Sequence, residues 1–122
     1  MEKEIQILVV EDEAITAMLL QTQLKKIGYL FLTHVTTGEK AILSAKQSPP
    51  DLILMDIGLA GEIDGIEAAA VIKSKADIPI IFITGYEDNT IRQRAQTVKP
   101  LEYLIKPLSM YKLKTIIDQY FG

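Results

Sequence analysis

Five short apolar runs, each followed by a stretch with helical spacing, constrain this chain more than any other feature. The runs are 5–10 (IQILVV), 30–36 (LFLTHVT), 51–55 (DLILM), 79–83 (PIIFI) and 102–105 (EYLI). Most are β-branched or nearly unbroken in apolar residues and too short for helices, which is how strands covered on both faces read. Between and after them the spacing predicts helices over 13–27, 38–47, 65–75, 88–96 and 109–120. Asp12 is a candidate N-cap for the first helix and Gly28 its stop. Ser48-Pro49-Pro50 ends the second, because proline lacks the donor a helix needs. Asp64 and Ser109 stand where caps of the third and fifth are needed.

Five strand–helix units joined by short connections make an α/β chain. The right-handed crossover rule leaves a doubly wound five-stranded parallel sheet in a three-layer α/β/α sandwich. Its common five-stranded version is flavodoxin-like, with strand order 2-1-3-4-5. A length of 122 residues fits one domain, 1–122. With 48% hydrophobic and 24% charged residues, the composition excludes disorder. There is no cysteine, which removes disulfides, thiolate metal sites and cysteine nucleophiles and suits a reducing, cytoplasmic setting. With one histidine, His34, a His-rich zinc site cannot be built. The longest apolar stretch, near 78–83, is far too short to cross a bilayer. A net charge of −3 argues against a nucleic-acid surface, but the charge is uneven. Residues 1–88 carry 7 basic and 14 acidic side chains, and residues 89–122 carry 6 and 2.

In such sheets ligands bind at the carboxyl ends of the strands. Those ends carry Glu11, Asp12 and Glu13 after the first strand, Asp56 after the third, Thr84 after the fourth, and Lys106 and Pro107 after the fifth. Carboxylates gathered in a poorly solvated cleft repel one another, and a bound cation relieves this. Oxygen-only ligands point to a hard ion, Mg²⁺. A metal, an ammonium and a hydroxyl around one carboxylate make a cradle for a phosphoryl group on that carboxylate. Taken singly, Asp12 reads as a helix cap, Thr84 as a turn residue and Lys106 as a surface lysine. Asp56 has no helix to cap, and the conjunction at four strand ends favours the site.

The segments ILVVEDE (7–13), DLILMDIGLAGEIDGIEAA (51–69), PIIFITG (79–85) and YLIKP (103–107) resemble the receiver domains of two-component response regulators. The likeness covers essentially the whole chain. It implies that Asp56 is the phosphoacceptor, taking its phosphoryl group from a histidine kinase or phosphotransfer protein. It implies Mg²⁺ held by Asp12, Asp56 and the Gly58 carbonyl, with Glu11 holding a metal-bound water. Thr84 would be the switch hydroxyl, Lys106 the partner of the acceptor, Lys106-Pro107 a cis peptide and Tyr103 the aromatic switch residue. The protein would then be a signalling switch in a phosphorelay, catalysing only its own aspartyl phosphorylation and dephosphorylation.

Some positions depart from the family pattern. Glu11 stands where Asp is more frequent, Ala60 where Pro is common, and Gly85 where Ala is frequent. Residues 97–102 (TVKPLE) replace an Ala-Gly turn, and Pro100 should shorten the fourth helix or fifth strand. A degenerate, interaction-only receiver is disfavoured by the intact acids, Thr84 and Lys106. A flavodoxin-like cofactor binder would need a Gly/Ser/Thr-rich phosphate loop where this chain has Glu-Asp-Glu. Tyr86 is placed to shield the phosphoryl group. Ala14, Ile15 and Met18 form a candidate kinase-docking patch opposite a core stripe of Leu20, Gln23, Leu24 and Ile27. Arg92, Arg94, Lys99, Lys112 and Lys114 mark an output face around Tyr103, for a downstream protein or self-association, with no direct nucleic-acid or membrane contact. That output serves either a stand-alone receiver or the receiver of a longer protein.

Overall fold

One parallel sheet in the order β2-β1-β3-β4-β5 organises the molecule. It was obtained as a computed structural model that describes residues 4–85 and 88–122. The strands are β1 (Gln6–Val10), β2 (Phe31–Val35), β3 (Leu52–Asp56), β4 (Ile80–Thr84) and β5 (Glu102–Ile105). They alternate with α1 (Ala14–Lys26), α2 (Gly38–Gln47), α3 (Gly65–Lys75), α4 (Asn89–Gln96) and α5 (Met110–Phe121). This is the expected doubly wound order.

The unbroken apolar runs are explained by the two cores they feed. Leu8, Val10, Ile53, Met55, Ile80, Phe82 and Tyr103 pack with Ala41 and Ala45 of α2, Ile66, Ala69 and Ile72 of α3, and Ala95 of α4. Their sequence neighbours Ile7, Val9, Leu52, Leu54, Ile81, Ile83 and Leu104 pack with Leu20 and Leu24 of α1 and Leu113 and Ile117 of α5. Side chains alternate across a strand, so a strand between two helix layers must be apolar at every position. β2, at the sheet edge, is only partly covered, which is why its sequence alternation is weaker.

Boundaries differ from the sequence reading at informative places. Asp56 and Thr84 are the last residues of β3 and β4, paired in register with Ile83 and Ile105. A polar side chain there leaves the backbone ladder intact. Asp12 does not cap α1: the cap position is Glu13, with no side-chain cap hydrogen bond. Gly28 follows α1 with φ 105°, the left-handed geometry that suits glycine. Asp64 and Ser109 do cap α3 and α5, and Asp64 forms a full capping box with Glu67. α4 and β5, which flank Pro100, are the shortest helix and strand, at 8 and 4 residues. Lys99 before that proline has φ 51°, and its carbonyl accepts from Lys73 Nζ at 2.9 Å.

Two contacts tie distant parts together. The Tyr29 hydroxyl donates to Asp118 Oδ1 at 3.0 Å, linking the entry to β2 with α5. Burial first, then the Asp118 hydrogen bond and charge, push the Tyr29 phenol up to about 12. Asp118 is held below the usual carboxylate range by Lys114, at 2.6 Å, and then by Tyr29. At the other end of the sheet, Gly65 lies so close to the Asp56 carbonyl oxygen that a Cβ would collide with backbone.

A raised phenol pKa stabilises the fold fully below the ordinary tyrosine value of about 10 and loses that contribution as pH rises through the folded value. Phenolate absorbance of the native protein should therefore show Tyr29 ionising near pH 12. Tyr29→Phe should delete that step, and the urea midpoints of the two proteins should converge above about pH 10. Gly65→Ala should cost about 1–3 kcal/mol by overpacking against immovable backbone, measured by urea unfolding.

Candidate functional site

The carboxyl ends of β1 and β3 bring three acids together. Glu11 and Asp12 follow β1 and Asp56 ends β3; one carboxylate oxygen from each lies within 4.8 Å of the others. At that separation two like charges repel by roughly 3 kcal/mol at an effective dielectric of about 20. Glu11 and Asp56 are also buried, at 3% and 9% exposure.

Lys106, just past β5, answers this repulsion. Its Nζ donates to Glu11 Oε1 at 3.0 Å and to Asp56 Oδ2 at 3.4 Å. Burial of the ammonium opposes its charge, but the Glu11 hydrogen bond and the charges of Asp56 and Glu11 outweigh it, so the Lys106 pKa is raised. The sequence had paired Lys106 with Asp56; the shorter contact is to Glu11. Lys106 N–H donates to the Thr84 carbonyl at 2.8 Å, which extends the β4–β5 ladder to the lysine. Thr84 itself is buried at the end of β4. The Lys106-Pro107 bond is cis.

Three further acid oxygens are held by backbone. Glu13 N–H donates to Glu11 Oε2 at 3.1 Å, and Gly58 N–H to Asp56 Oδ1 at 3.2 Å. Ala60 N–H donates to Asp12 Oδ2 at 3.1 Å, a bond proline at that position would not make. This recruitment explains why Asp12 does not cap α1. Two residues beyond the sequence reading support the site from behind. His34 Nε2 lies 2.8 Å from the Glu11 carbonyl oxygen, and Glu39 Oε1 accepts from Ile63 N–H at 3.1 Å, holding the loop after Asp56. Nothing in local spacing marks either one, since their partners are 23 and 24 residues away.

The other singled-out residues fall in four groups. Ala14, Ile15 and Met18 are exposed on α1, next to Leu19; Ile15, Met18 and Leu19 retain 76%, 63% and 59% of their surface. Tyr86 lies outside the described residues. Tyr103 is 6% exposed and packed in the core, with the Arg92 guanidinium 4.8 Å from its ring centroid. A cation over the ring face favours this inward position. The basic face is partly neutralised within the chain, because Arg94 pairs with Asp64 at 2.9 Å and Lys114 with Asp118.

Three oxygen-bearing acids, one ammonium and a buried hydroxyl fit a hard divalent cation beside an anionic reactant. Comparison with known proteins agrees. Residues 7–118 match the family model for the response regulator receiver domain. Transcriptional regulatory protein PdtaR of Mycobacterium tuberculosis is 34% identical over 112 residues, covering 92% of this chain and 54% of that protein. The probable transcriptional regulator ycf27 of Guillardia theta is 32% identical over 117 residues, covering 96% of this chain and 45% of that protein. This chain thus spans about half the length of these curated relatives. Among solved structures, the receiver domain of sensor histidine kinase PA1611 from Pseudomonas aeruginosa has a TM-score of 0.87 and 29% identity, covering 98% of this chain and 99% of that one. That structure has magnesium coordinated in its active-site cleft. The signal receiver domain of a modulated diguanylate cyclase from Desulfovibrio desulfuricans scores 0.89 at 38% identity, covering 96% and 93%.

The coupling of Lys106 to the acids is measurable without any ligand. Lys106→Met should destabilise the fold at neutral pH, and the loss should shrink when combined with Asp56→Asn. A double-mutant cycle in urea should return a coupling of about 1–3 kcal/mol; additive losses would show the contact to be energetically idle.

Proposed function

From the family to which this chain belongs, the response regulator receiver domains, we propose that it accepts a phosphoryl group on Asp56 in a Mg²⁺-dependent reaction and passes the change to its α4–β5–α5 surface. Receiver domains are signalling switches rather than enzymes acting on a separate substrate, and self-phosphorylation with self-dephosphorylation is the only catalysis proposed here. The observation that carries the reading is Lys106 Nζ bridging Glu11 and Asp56 in a cluster whose three acids approach within 4.8 Å.

Asp12, Asp56 and the Gly58 carbonyl would hold the cation, with Glu11 acting through a bound water. When bound, Mg²⁺ neutralises charge between the acceptor carboxylate and the phosphoryl oxygens. The rest falls to the chain. Asp56 presents Oδ2 on the side of Lys106, which orients it and then pairs with the transferred group. Gly58 N–H fixes Oδ1, so one oxygen is held while the other attacks. Thr84 supplies a hydroxyl at the neighbouring strand end. Positioning and charge neutralisation are the main terms in such transfers. Tyr103, already inward beneath Arg92, would be fixed there by Thr84 moving to the phosphoryl group.

We extend the reading to partners. A histidine kinase or phosphotransfer protein would deliver the phosphoryl group by docking on Ala14, Ile15 and Met18. Residues 1–122 would act as one receiver domain. The output would go to a protein partner or a second copy rather than to nucleic acid, given the net charge of −3. Among the described residues no helix is long and apolar enough to cross a membrane.

Acetyl phosphate with Mg²⁺ should add one phosphoryl group to the wild type, seen by intact mass, and none to Asp56→Asn. Asp12→Asn should raise the Mg²⁺ concentration needed by tenfold or more. Met18→Glu should slow transfer from the cognate kinase while leaving acetyl phosphate labelling intact; loss of both, or of neither, would reject the docking role.

A further inference from the structure

The acceptor site opens into an apolar cleft that phosphoryl chemistry alone does not require. It has a volume of about 250 Å³, and Glu11, Asp56 and Lys106 are its charged lining. Its walls are Leu19 and Leu20 of α1, Leu54 and Ile83 of the sheet, and Leu108 beyond β5. A phosphoryl group is served by oxygens, an ammonium and a cation; it gains nothing from leucines. Leu19 stays 59% exposed although it lines the cleft, so apolar surface remains there for an occupant to cover. The cleft is continuous with the reacting carboxylate, and its charged lining carries the ammonium that an incoming phosphate needs. An occupant with a phosphate at one end and a short aliphatic chain at the other matches both kinds of lining.

Resting on the phosphoacceptor reading above, we propose that this cleft receives the hydrocarbon chain of a small phosphodonor. The preferred donors are then medium-chain acyl phosphates rather than acetyl phosphate. In the transfer an Asp56 oxygen attacks phosphorus and forms the new O–P bond. The P–O bond to the acyl group breaks, and its electron pair leaves with the fatty acid as a carboxylate. No oxidant, reductant or proton is consumed, and added Mg²⁺ is the only further requirement. Covering the chain acts on binding, so the gain appears in kcat/KM. Each methylene fully withdrawn from water is worth up to about fourfold.

The test compares acetyl, butyryl and hexanoyl phosphate, whose leaving acids differ little in basicity, as donors in Mg²⁺, with Asp56 labelling followed by intact mass. The second-order rate constant should rise along the series, with hexanoyl phosphate about tenfold above acetyl phosphate. Leu19→Asn, at an exposed position, should reduce that ratio to about two- or threefold without changing the acetyl phosphate rate. Gln23→Leu, which extends the apolar wall, should increase it. Equal rates in the wild type would overturn the proposal, leaving phosphoacceptance intact and the cleft to some other occupant such as a kinase side chain. A preference untouched by both variants would also overturn it, since the chain would then bind elsewhere. Failure of every donor to label Asp56 would overturn the phosphoacceptor reading and this proposal with it.

Discussion

Two buried carboxylates at the end of an apolar sheet need a cation, and the arrangement of this edge of the molecule follows from that need. Glu11 and Asp56 keep little contact with solvent where they stand, at 3% and 9% exposure. Lys106 meets both from just past β5, across the end of β4, and backbone N–H groups of Glu13 and Gly58 take the remaining oxygens. The compensation is incomplete by design of the set: one ammonium faces three acids. A surplus of negative charge of this kind favours a further cation.

That edge is held from outside as well. β2 braces Glu11 through its backbone, because Glu11 N–H donates to the Val35 carbonyl and the Glu11 carbonyl meets His34. The loop from Asp56 to α3 is pinned at Ile63 by Glu39 and at its end by Gly65, which has no room for a side chain against the Asp56 carbonyl. Geometry around Asp56 is therefore set by contacts that lie outside the acid cluster itself.

Much of this was legible in the sequence because it depends on local rules. Apolar runs reveal buried strands, and Asp64 and Ser109 reveal helix starts, since those signals act within a few residues. The strand-end residues Glu11, Asp12, Asp56, Thr84 and Lys106 followed from topology once the sheet was recognised. What was not legible depends on partners far along the chain. Asp12 looked like a cap until its carboxylate was claimed by Ala60, 48 residues on. Lys106 met Glu11 more closely than Asp56 because the side chain reaches across two strand ends. The Tyr103 ring lies under Arg92 in the core it shares with Ala95, and no spacing rule encodes a rotamer.

α4 has a consequence of a different kind. Ala95 is its only buried residue, whereas each of the other helices buries at least two, and its link to the α3 cap is the Arg94–Asp64 pair, whose side chains remain 44% and 27% exposed. Exposed ion pairs contribute about 0–1 kcal/mol and weaken with salt. Local stability therefore falls from β3, where every residue is buried, to α4, the helix with the fewest buried residues. Amide exchange should then be faster in α4 than in β3, the strand that ends at Asp56.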